Sequence, residues 1–307
     1  EGSAGLQAVL TQLSGFEAPV AAWESEILPA RVRGYDSRML DEAIRAGRYV
    51  WLRLSPKRST APRLAGTLRT TPVSLVARSQ LQAWLAVAGP EDGCQISSAA
   101  RQVLGYIEAR GAAFFDDIAG VRGLLRSQVE NALDELAAVG LVTCDSFVGL
   151  RALTTPLARR NPLGRRARRS TLPGIEDAGR WDRLVRPRSG GDALNEGLDE
   201  DTIETIARVV LGRYGVVFRR IVEREAALPP WRLLLRALRR LESAGEIRGG
   251  RFVAGATGEQ FALPDAVAAL RDCAKRDDEG GVVRLAAVDP LNLAGTVLPG
   301  TRVPALA

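Results

Sequence analysis

The eight-residue stretch LDELAAVG at positions 133–140, followed by LVTC at 141–144, decides the fold of this chain. It places leucine and alanine at helical spacing, ends on a glycine and continues into a short apolar run. Glycine just past the last turn of a helix can adopt the left-handed conformation that ends it. The stretch therefore predicts an amphipathic helix that stops at Gly140 and leads into a β-hairpin.

The same pattern occurs twice more in the chain. LDEAIRAG at 40–47 precedes YVWL at 49–52, and LRRLESAG at 238–245 precedes EIR at 246–248. The three glycines are 93 and 105 residues apart, which is the spacing of domains rather than of solenoid repeats. We interpret the chain as three copies of one unit. The alternative is three unrelated helix–hairpin coincidences.

The middle copy shows the whole unit. We predict helices over 99–110 and 116–121, a third helix beginning at a capping box over 127–130, and a hairpin over 141–153 that turns at 145–146. Three helices closed by a β-hairpin make a winged helix, a variant of the helix-turn-helix.

The other two copies follow the same order. In the third we predict helices over 202–214 and 218–225, a strand over 215–217, a helix opened by Pro229 and Pro230, and a wing over 246–254 that turns at Gly249 and Gly250. In the first we predict helices over 7–13, 19–28 and 36–46 and wing strands over 49–54 and 72–76.

The predicted fold class is mainly α with small β (α+β), built from tandem winged-helix domains. The expected domains are winged helices at 1–94, 95–155 and 200–270, an Arg/Pro/Gly-rich linker at 156–199 with an ordered patch around Trp181, and the start of a β-barrel-like module at 271–307. Strands over 282–287 and 296–298, around a turn at Asp289 and Pro290, are the basis for that last module.

Composition excludes several classes of function. The 307 residues contain no histidine, which rules out Ser-His-Asp and Cys-His catalysis and histidine-ligated zinc. The three cysteines are far apart and form no CxxC pair, which favours a reducing cytoplasm. No apolar run approaches the roughly 20 residues of a membrane span. The chain does not begin with methionine and shows no signal peptide, so we expect a cytoplasmic fragment of a longer protein.

The basic charge is carried by arginine. The formal net charge is +6, and only Lys57 and Lys275 among the 42 basic residues are lysines. A GC-rich genome explains much of that ratio, but it does not explain why the arginines cluster. Arginine forks bind phosphate and carboxylate groups.

Several segments resemble the C-terminal half of the large helicase-related (Lhr) proteins of bacteria. They are 13–19, 22–24, 28–32, 114–117, 214–218, 230–232, 249–253, 258–264, 289–293 and 302–304. The resemblance implies a superfamily 2, ATP-dependent DNA helicase of DNA repair, whose motor binds ATP and Mg²⁺. This chain contains neither a GxxxxGK[ST] loop nor a DExH box, so we expect no cofactor here and no ATP hydrolysis by this part alone. The implied partners are DNA (single-stranded, branched or duplex), the N-terminal helicase core of the same chain and a possible homo-oligomer, with no membrane.

Candidate DNA-binding residues lie on predicted recognition helices, at a wing and in the linker. The third copy contributes Arg232, Arg236, Arg239 and Arg240 on the polar side of a leucine stripe, with Arg248 and Arg251 at the wing turn. The second contributes Arg122 and Arg126. The linker contributes Arg165, Arg166, Arg168 and Arg169. Such arginines contact phosphates or base edges. The alternatives are a solvated helix face paired with acids and a solvated loop. For the second recognition helix, packing among the units is the favoured interpretation.

The resemblance also extends to DNA glycosylases of the AlkZ type, which position water with a short glutamine motif. That motif does not map clearly onto this chain, and Gln260 and Asp289 are weak candidates for catalysis. Each has a simpler structural interpretation, as a packing residue and a turn residue respectively. Three hypotheses follow: a DNA-positioning accessory region of a repair helicase, which we favour; a glycosylase-like region acting on uracil or alkylated bases; and an oligomerisation platform without chemistry.

Overall fold

The structure is a computed structural model that describes residues 2–55, 68–88, 95–121, 123–155, 174–186, 198–275 and 284–301. The described strands form three small antiparallel sheets of three strands each. Their strand orders are β1-β3-β2, β4-β6-β5 and β7-β9-β8, so one topology occurs three times. Tandem winged helices are therefore confirmed, in a mainly helical chain with small sheets.

The first unit contains helices α1 (Gly2–Gln12), α2 (Val20–Ala22, continued by a π-helical turn Trp23–Ile27) and α3 (Ser37–Arg45), with strands β1 (Glu17–Pro19), β2 (Tyr49–Leu52) and β3 (Pro72–Ala77). The sequence did not predict α4 (Leu81–Ala88), which follows β3. Asp36 caps α3 by accepting a hydrogen bond from the Arg38 backbone N–H at 2.8 Å. This bond and the Arg38 guanidinium lower the pKa of Asp36 to about 2.

The second unit contains α5 (Ser98–Arg110), β4 (Ala113–Phe114), α6 (Phe115–Ala119), α7 (Arg126–Val139), β5 (Val142–Cys144), α8 (Val148–Thr154) and β6 (Arg180–Arg183). The predicted hairpin over 141–153 is wrong. Residues 148–154 are helical and bury Val148, Leu150 and Leu153, while β6 supplies the central strand of the sheet. Trp181 is fully buried on β6, so part of the predicted linker belongs to this fold.

The start of α7 also differs from the prediction. The helix begins at Arg126, and the Gln128 side chain accepts a hydrogen bond from the Leu125 backbone N–H at 2.8 Å. The predicted capping box over 127–130 therefore lies inside the first turn of the helix.

The third unit contains α9 (Glu200–Tyr214), β7 (Val216–Phe218), α10 (Arg219–Val222), α11 (Trp231–Ser243), β8 (Arg248–Gly250), β9 (Gln260–Ala262) and α12 (Pro264–Lys275). The predicted wing turn at Gly249 and Gly250 is wrong, because both glycines belong to β8. The wing loop spans 251–259 instead.

The predicted start of a β-barrel-like module is not supported. Residues 284–301 contain only an isolated bridge between Ala294 and Leu298, and no closed sheet. The backbone bonds within its own turns, as from the Asp289 N–H to the Ala286 carbonyl at 3.0 Å. The structure describes no partner strand beside the β-branched residues of this segment, so they do not form strands.

Two hydrophobic cores cross the unit boundaries. One contains residues of the first and second units, and the other joins the first sheet and α4 to the third unit. Between the first two units, Trp51 donates from Nε1 to the Ser146 carbonyl at 3.1 Å and meets Trp181 edge to face at 6.2 Å. Between the first and third units, the buried Arg213 bonds Glu225 and the Ser14 carbonyl. The three units therefore pack against one another and are not independent domains joined only by linkers.

Candidate nucleic-acid interface

The recognition helix of the third unit, α11, has one apolar and one basic face. Its apolar face buries Leu233, Leu234, Leu238 and Leu241, together with Ala237, in a core shared with α9 and with residues of β7 and β9. Each leucine removed from water contributes about 2 kcal/mol to the free energy of unfolding. This burial holds α11 with its arginines toward solvent.

The exposed face of α11 carries the predicted arginines, and they separate into two groups. The guanidinium groups of Arg232 and Arg236 form no hydrogen bond or ion pair with any residue that the structure describes. Arg239 pairs with Glu259 at 2.7 Å, and Arg240 pairs with Glu200 at 3.2 Å. All these pairs are exposed, so each is weak and a phosphate can compete for the arginine.

The wing adds two more cations beside this helix. Arg248, on β8, and Arg251, at the start of the wing loop, are exposed and unpaired among the described residues. With Arg232 and Arg236 they form a set of four free guanidinium groups on one helix and its wing, which we call the α11 basic surface. Recognition helices and wings are the elements that winged-helix proteins place on DNA.

Gln260 organises the wing. Its side chain is buried, its Oε1 accepts hydrogen bonds from the Phe252 and Val253 backbone N–H groups at 2.8 Å, and its Nε2 donates to the carbonyls of Val253 and Ala256. These bonds engage both ends of the amide. This geometry argues against a catalytic role and assigns the residue to the shape of the wing loop.

The recognition helices of the first two units are used for packing. Asp41 of α3 is buried, where it accepts from the Phe147 backbone N–H at 2.9 Å and pairs with Arg151. Asp134 and Glu135 of α7 are buried as well, and Glu135 binds Ser97 at the start of α5. Among the described residues, α11 is the recognition helix whose basic face stays open.

Two family models match the chain. Both describe a winged-helix domain of large helicase-related protein, one over residues 1–77 and one over 196–282. The chain belongs to the Lhr family.

Curated Lhr proteins agree with this assignment. The chain is 31% identical to the "Lhr helicase/uracil glycosylase" of Escherichia coli over 99% of its own length, and 30% identical to the "Lhr helicase/ probable uracil glycosylase" of Mycolicibacterium smegmatis over 96%. It spans about a fifth of the length of each relative (20%). The resemblance to the C-terminal part of Lhr proteins is confirmed.

Asp289 holds this Lhr segment together. The carboxylate is buried and accepts from both Arg31 nitrogens, at 2.6 and 2.7 Å, while its Oδ1 also accepts from the Leu291 backbone N–H. Arg224 of the third unit donates to the carbonyls of Pro290 and Asn292, at 3.1 Å each. Residues 289–292 thus bridge the first and third units, and this geometry argues against catalysis by Asp289.

The remaining candidates give weaker support. Arg126 pairs with two acids, Asp116 at 2.8 Å and Glu176 at 2.6 Å, and stacks over the Phe115 ring, so a phosphate would have to displace both carboxylates to bind it. Arg122 and the linker arginines lie outside the described residues. Those linker arginines are Arg165, Arg166, Arg168 and Arg169.

Two basic residues on α10, the helix before the recognition helix, were not predicted from the sequence. Arg219 pairs with Glu223 at 2.6 Å, and the Arg220 guanidinium is exposed and unpaired among the described residues. In helix-turn-helix proteins this helix crosses the DNA backbone. The adjacent arginines at the start of the second helix were the available signal.

The described residues contain no group of three or more Cys, Asp or Glu side chains placed to hold a metal ion. No helix in the same ranges has the length and hydrophobicity to cross a membrane.

Proposed function

We propose that this Lhr segment is accessory to the helicase motor and positions DNA through the α11 basic surface. The observation that carries the proposal is the contrast among the three recognition helices. Those of the first two units bury acidic side chains in contacts within the fold, whereas α11 presents Arg232 and Arg236 unpaired toward solvent. Unpaired guanidinium groups on a recognition helix and its wing suit phosphate contact.

Fluorescence anisotropy with labelled single-stranded and duplex DNA over a salt series tests this proposal. We expect the double substitution Arg232→Ala and Arg236→Ala to weaken binding and to lower the slope of log affinity against log salt by about 1 for each phosphate that the variant no longer neutralises. The matched control is Arg101→Ala with Arg110→Ala on α5, which removes the same charge from exposed positions of the second unit. Equal losses in both double variants would show only a net-charge effect, and no binding by the wild type at low salt would sink the proposal.

The names of the two relatives favour a second candidate, a contribution to removal of uracil from DNA. One relative is named a uracil glycosylase and the other a "probable uracil glycosylase", and the chain aligns with both over nearly its whole length. Such enzymes need an extruded base and a directed water molecule. The test is incision of a uracil-containing oligonucleotide by this chain, with Gln260→Glu and Asp289→Asn measured alongside their thermal stability.

A further inference from the structure

A cavity of about 440 Å³ opens beside the start of α11. Val222, Leu228 and Pro229 give it an apolar lining, Trp231 contributes an aromatic ring, and Arg232 lies at its edge. This volume falls within the range of about 300–1,000 Å³ that is usual for small-molecule sites. The cavity therefore has space and stacking surface for a flat, partly apolar group.

The charges around the cavity leave one cation without a partner. Of its two acids, Glu223 pairs with Arg219, and Glu225 accepts from Arg213 and from the Tyr214 hydroxyl at 2.7 Å. Burial and the neighbouring Glu225 carboxylate raise the pKa of Tyr214 well above its usual range, so that its hydroxyl stays protonated. The Arg232 guanidinium forms no pair among the described residues, which makes the cavity edge attractive to an anion.

The cavity is continuous with the α11 basic surface. Arg232 belongs to both, and Arg236 lies four residues further along the same face, about 6 Å away along the helix axis. A nucleic-acid backbone that contacts Arg236 therefore passes the mouth of the cavity at Arg232.

We propose that this cavity holds one unstacked nucleobase of single-stranded DNA, with the base against Trp231 and its phosphate at Arg232. This inference rests on the proposed DNA-positioning role and adds a preference for unpaired DNA. A base inside a duplex is stacked and paired and cannot enter, whereas an unpaired base can stack on an aromatic ring whatever its sequence. The third unit thus distinguishes unpaired from paired DNA through one aromatic site.

The test measures binding of the full chain to a single-stranded oligonucleotide and to a blunt duplex of the same length. We expect Trp231→Leu to weaken single-strand binding about tenfold, to leave duplex binding unchanged, and to leave the salt slope unchanged. Trp231→Phe, which keeps an aromatic ring, should retain most of the affinity. The Arg236→Ala variant is the contrast, since it should weaken both substrates and lower the salt slope.

An abasic scan of the oligonucleotide locates the base. Removing the base that occupies the cavity should weaken wild-type binding as much as Trp231→Leu does and should have no further effect in that variant. Thermal melts establish that Trp231→Leu and Trp231→Phe are folded. Equal loss on both substrates, or no loss on either, overturns the cavity proposal while the DNA-positioning role stands. Absence of wild-type binding to any DNA overturns both.

Discussion

The side-chain amide of Gln260 forms four hydrogen bonds inside the third unit, two through each end. A buried polar group contributes to stability only when its partners are present. At this position the amide joins β9 to the wing loop, and the loop carries Arg251. Gln260 therefore supports the α11 basic surface by fixing the wing loop.

Gln260→Glu is the sharpest test at this scale. The change keeps the size of the side chain but turns the donor toward the Val253 and Ala256 carbonyls into an acceptor. We expect a loss of about 2 kcal/mol in the free energy of unfolding, measured by urea denaturation. Gln7→Glu, at a half-buried side chain whose one hydrogen bond among the described residues goes to the Ser3 hydroxyl at 3.5 Å, is the matched control and should change stability little. Loss of uracil incision with unchanged stability would instead mark Gln260 as catalytic.

Single residues also show what the sequence could not reveal. The stripe of arginines on α11 was readable from helical spacing, but the pairing of Arg239 with Glu259 was not, because the wing loop that carries Glu259 returns to the helix only in the fold. The burial of Asp134 and Glu135 could not be predicted for the same reason: it depends on packing that the pattern of one helix does not contain.

At the scale of elements, the fold prediction rested on the glycine that follows the third helix of each unit. Gly47, Gly140 and Gly245 all have positive φ, between 70° and 79°, and follow the third helix of their units. Gly140 has a second constraint, since a Cβ there would lie 2.9 Å from the Arg53 carbonyl oxygen and 2.7 Å from Arg186 Nη2. Arg53 of the first unit lies beside Gly140 of the second, and Arg186 donates hydrogen bonds to the backbone carbonyls of both residues.

The paired substitutions Gly140→Ala and Gly245→Ala separate these two effects. Both add the backbone strain of a left-handed alanine, about 1–2 kcal/mol, but a Cβ at Gly245 meets nothing within 4 Å. We therefore expect Gly140→Ala to lower the melting temperature clearly further than Gly245→Ala. Equal shifts in calorimetry would mean that the contact between the first two units relaxes without cost.

The wings were the elements that the sequence predicted least well. An apolar run after Gly140 suggested a local hairpin, yet the strand that completes that sheet is β6, beyond a long intervening segment. Patterns within a short window cannot specify a partner so distant in the chain. Trp181 was the sequence signal for this strand, because a tryptophan within a polar, arginine-rich stretch indicates a residue that is buried in the fold.

At the scale of the whole molecule, residues 284–301 connect units that are distant in sequence. The ion pair between Arg31 and Asp289 anchors this segment to the first unit, and Arg224 anchors it to the third. The prediction of a β-module did not include this role. The segment forms turns, and it accepts hydrogen bonds from Arg31 of the first unit and Arg224 of the third. Its position required knowledge of how the units pack.

Removing one partner of the buried pair should be more costly than removing both. Arg31→Met leaves the Asp289 carboxylate, which is 1% exposed, without its guanidinium, and we expect a loss of about 3 kcal/mol in the free energy of unfolding. The double variant Arg31→Met with Asp289→Leu should recover part of that loss in a double-mutant cycle. Arg48→Met, at an exposed arginine of the same unit, is the control. Additive effects of the two substitutions would mean that the pair does not anchor the segment.

The helix α4 belongs by sequence to the first unit, yet Trp84 and Leu85 lie in the core that the third unit shares with the first sheet. An isolated third winged helix, transferred into another protein, would therefore expose to water the apolar surface that these two side chains help to cover in this chain. Recombination at the boundaries of the sequence repeats would separate α4 from the third unit and so divide the hydrophobic core that they share. The smallest transferable piece is the third repeat together with the helix that reaches it from the first.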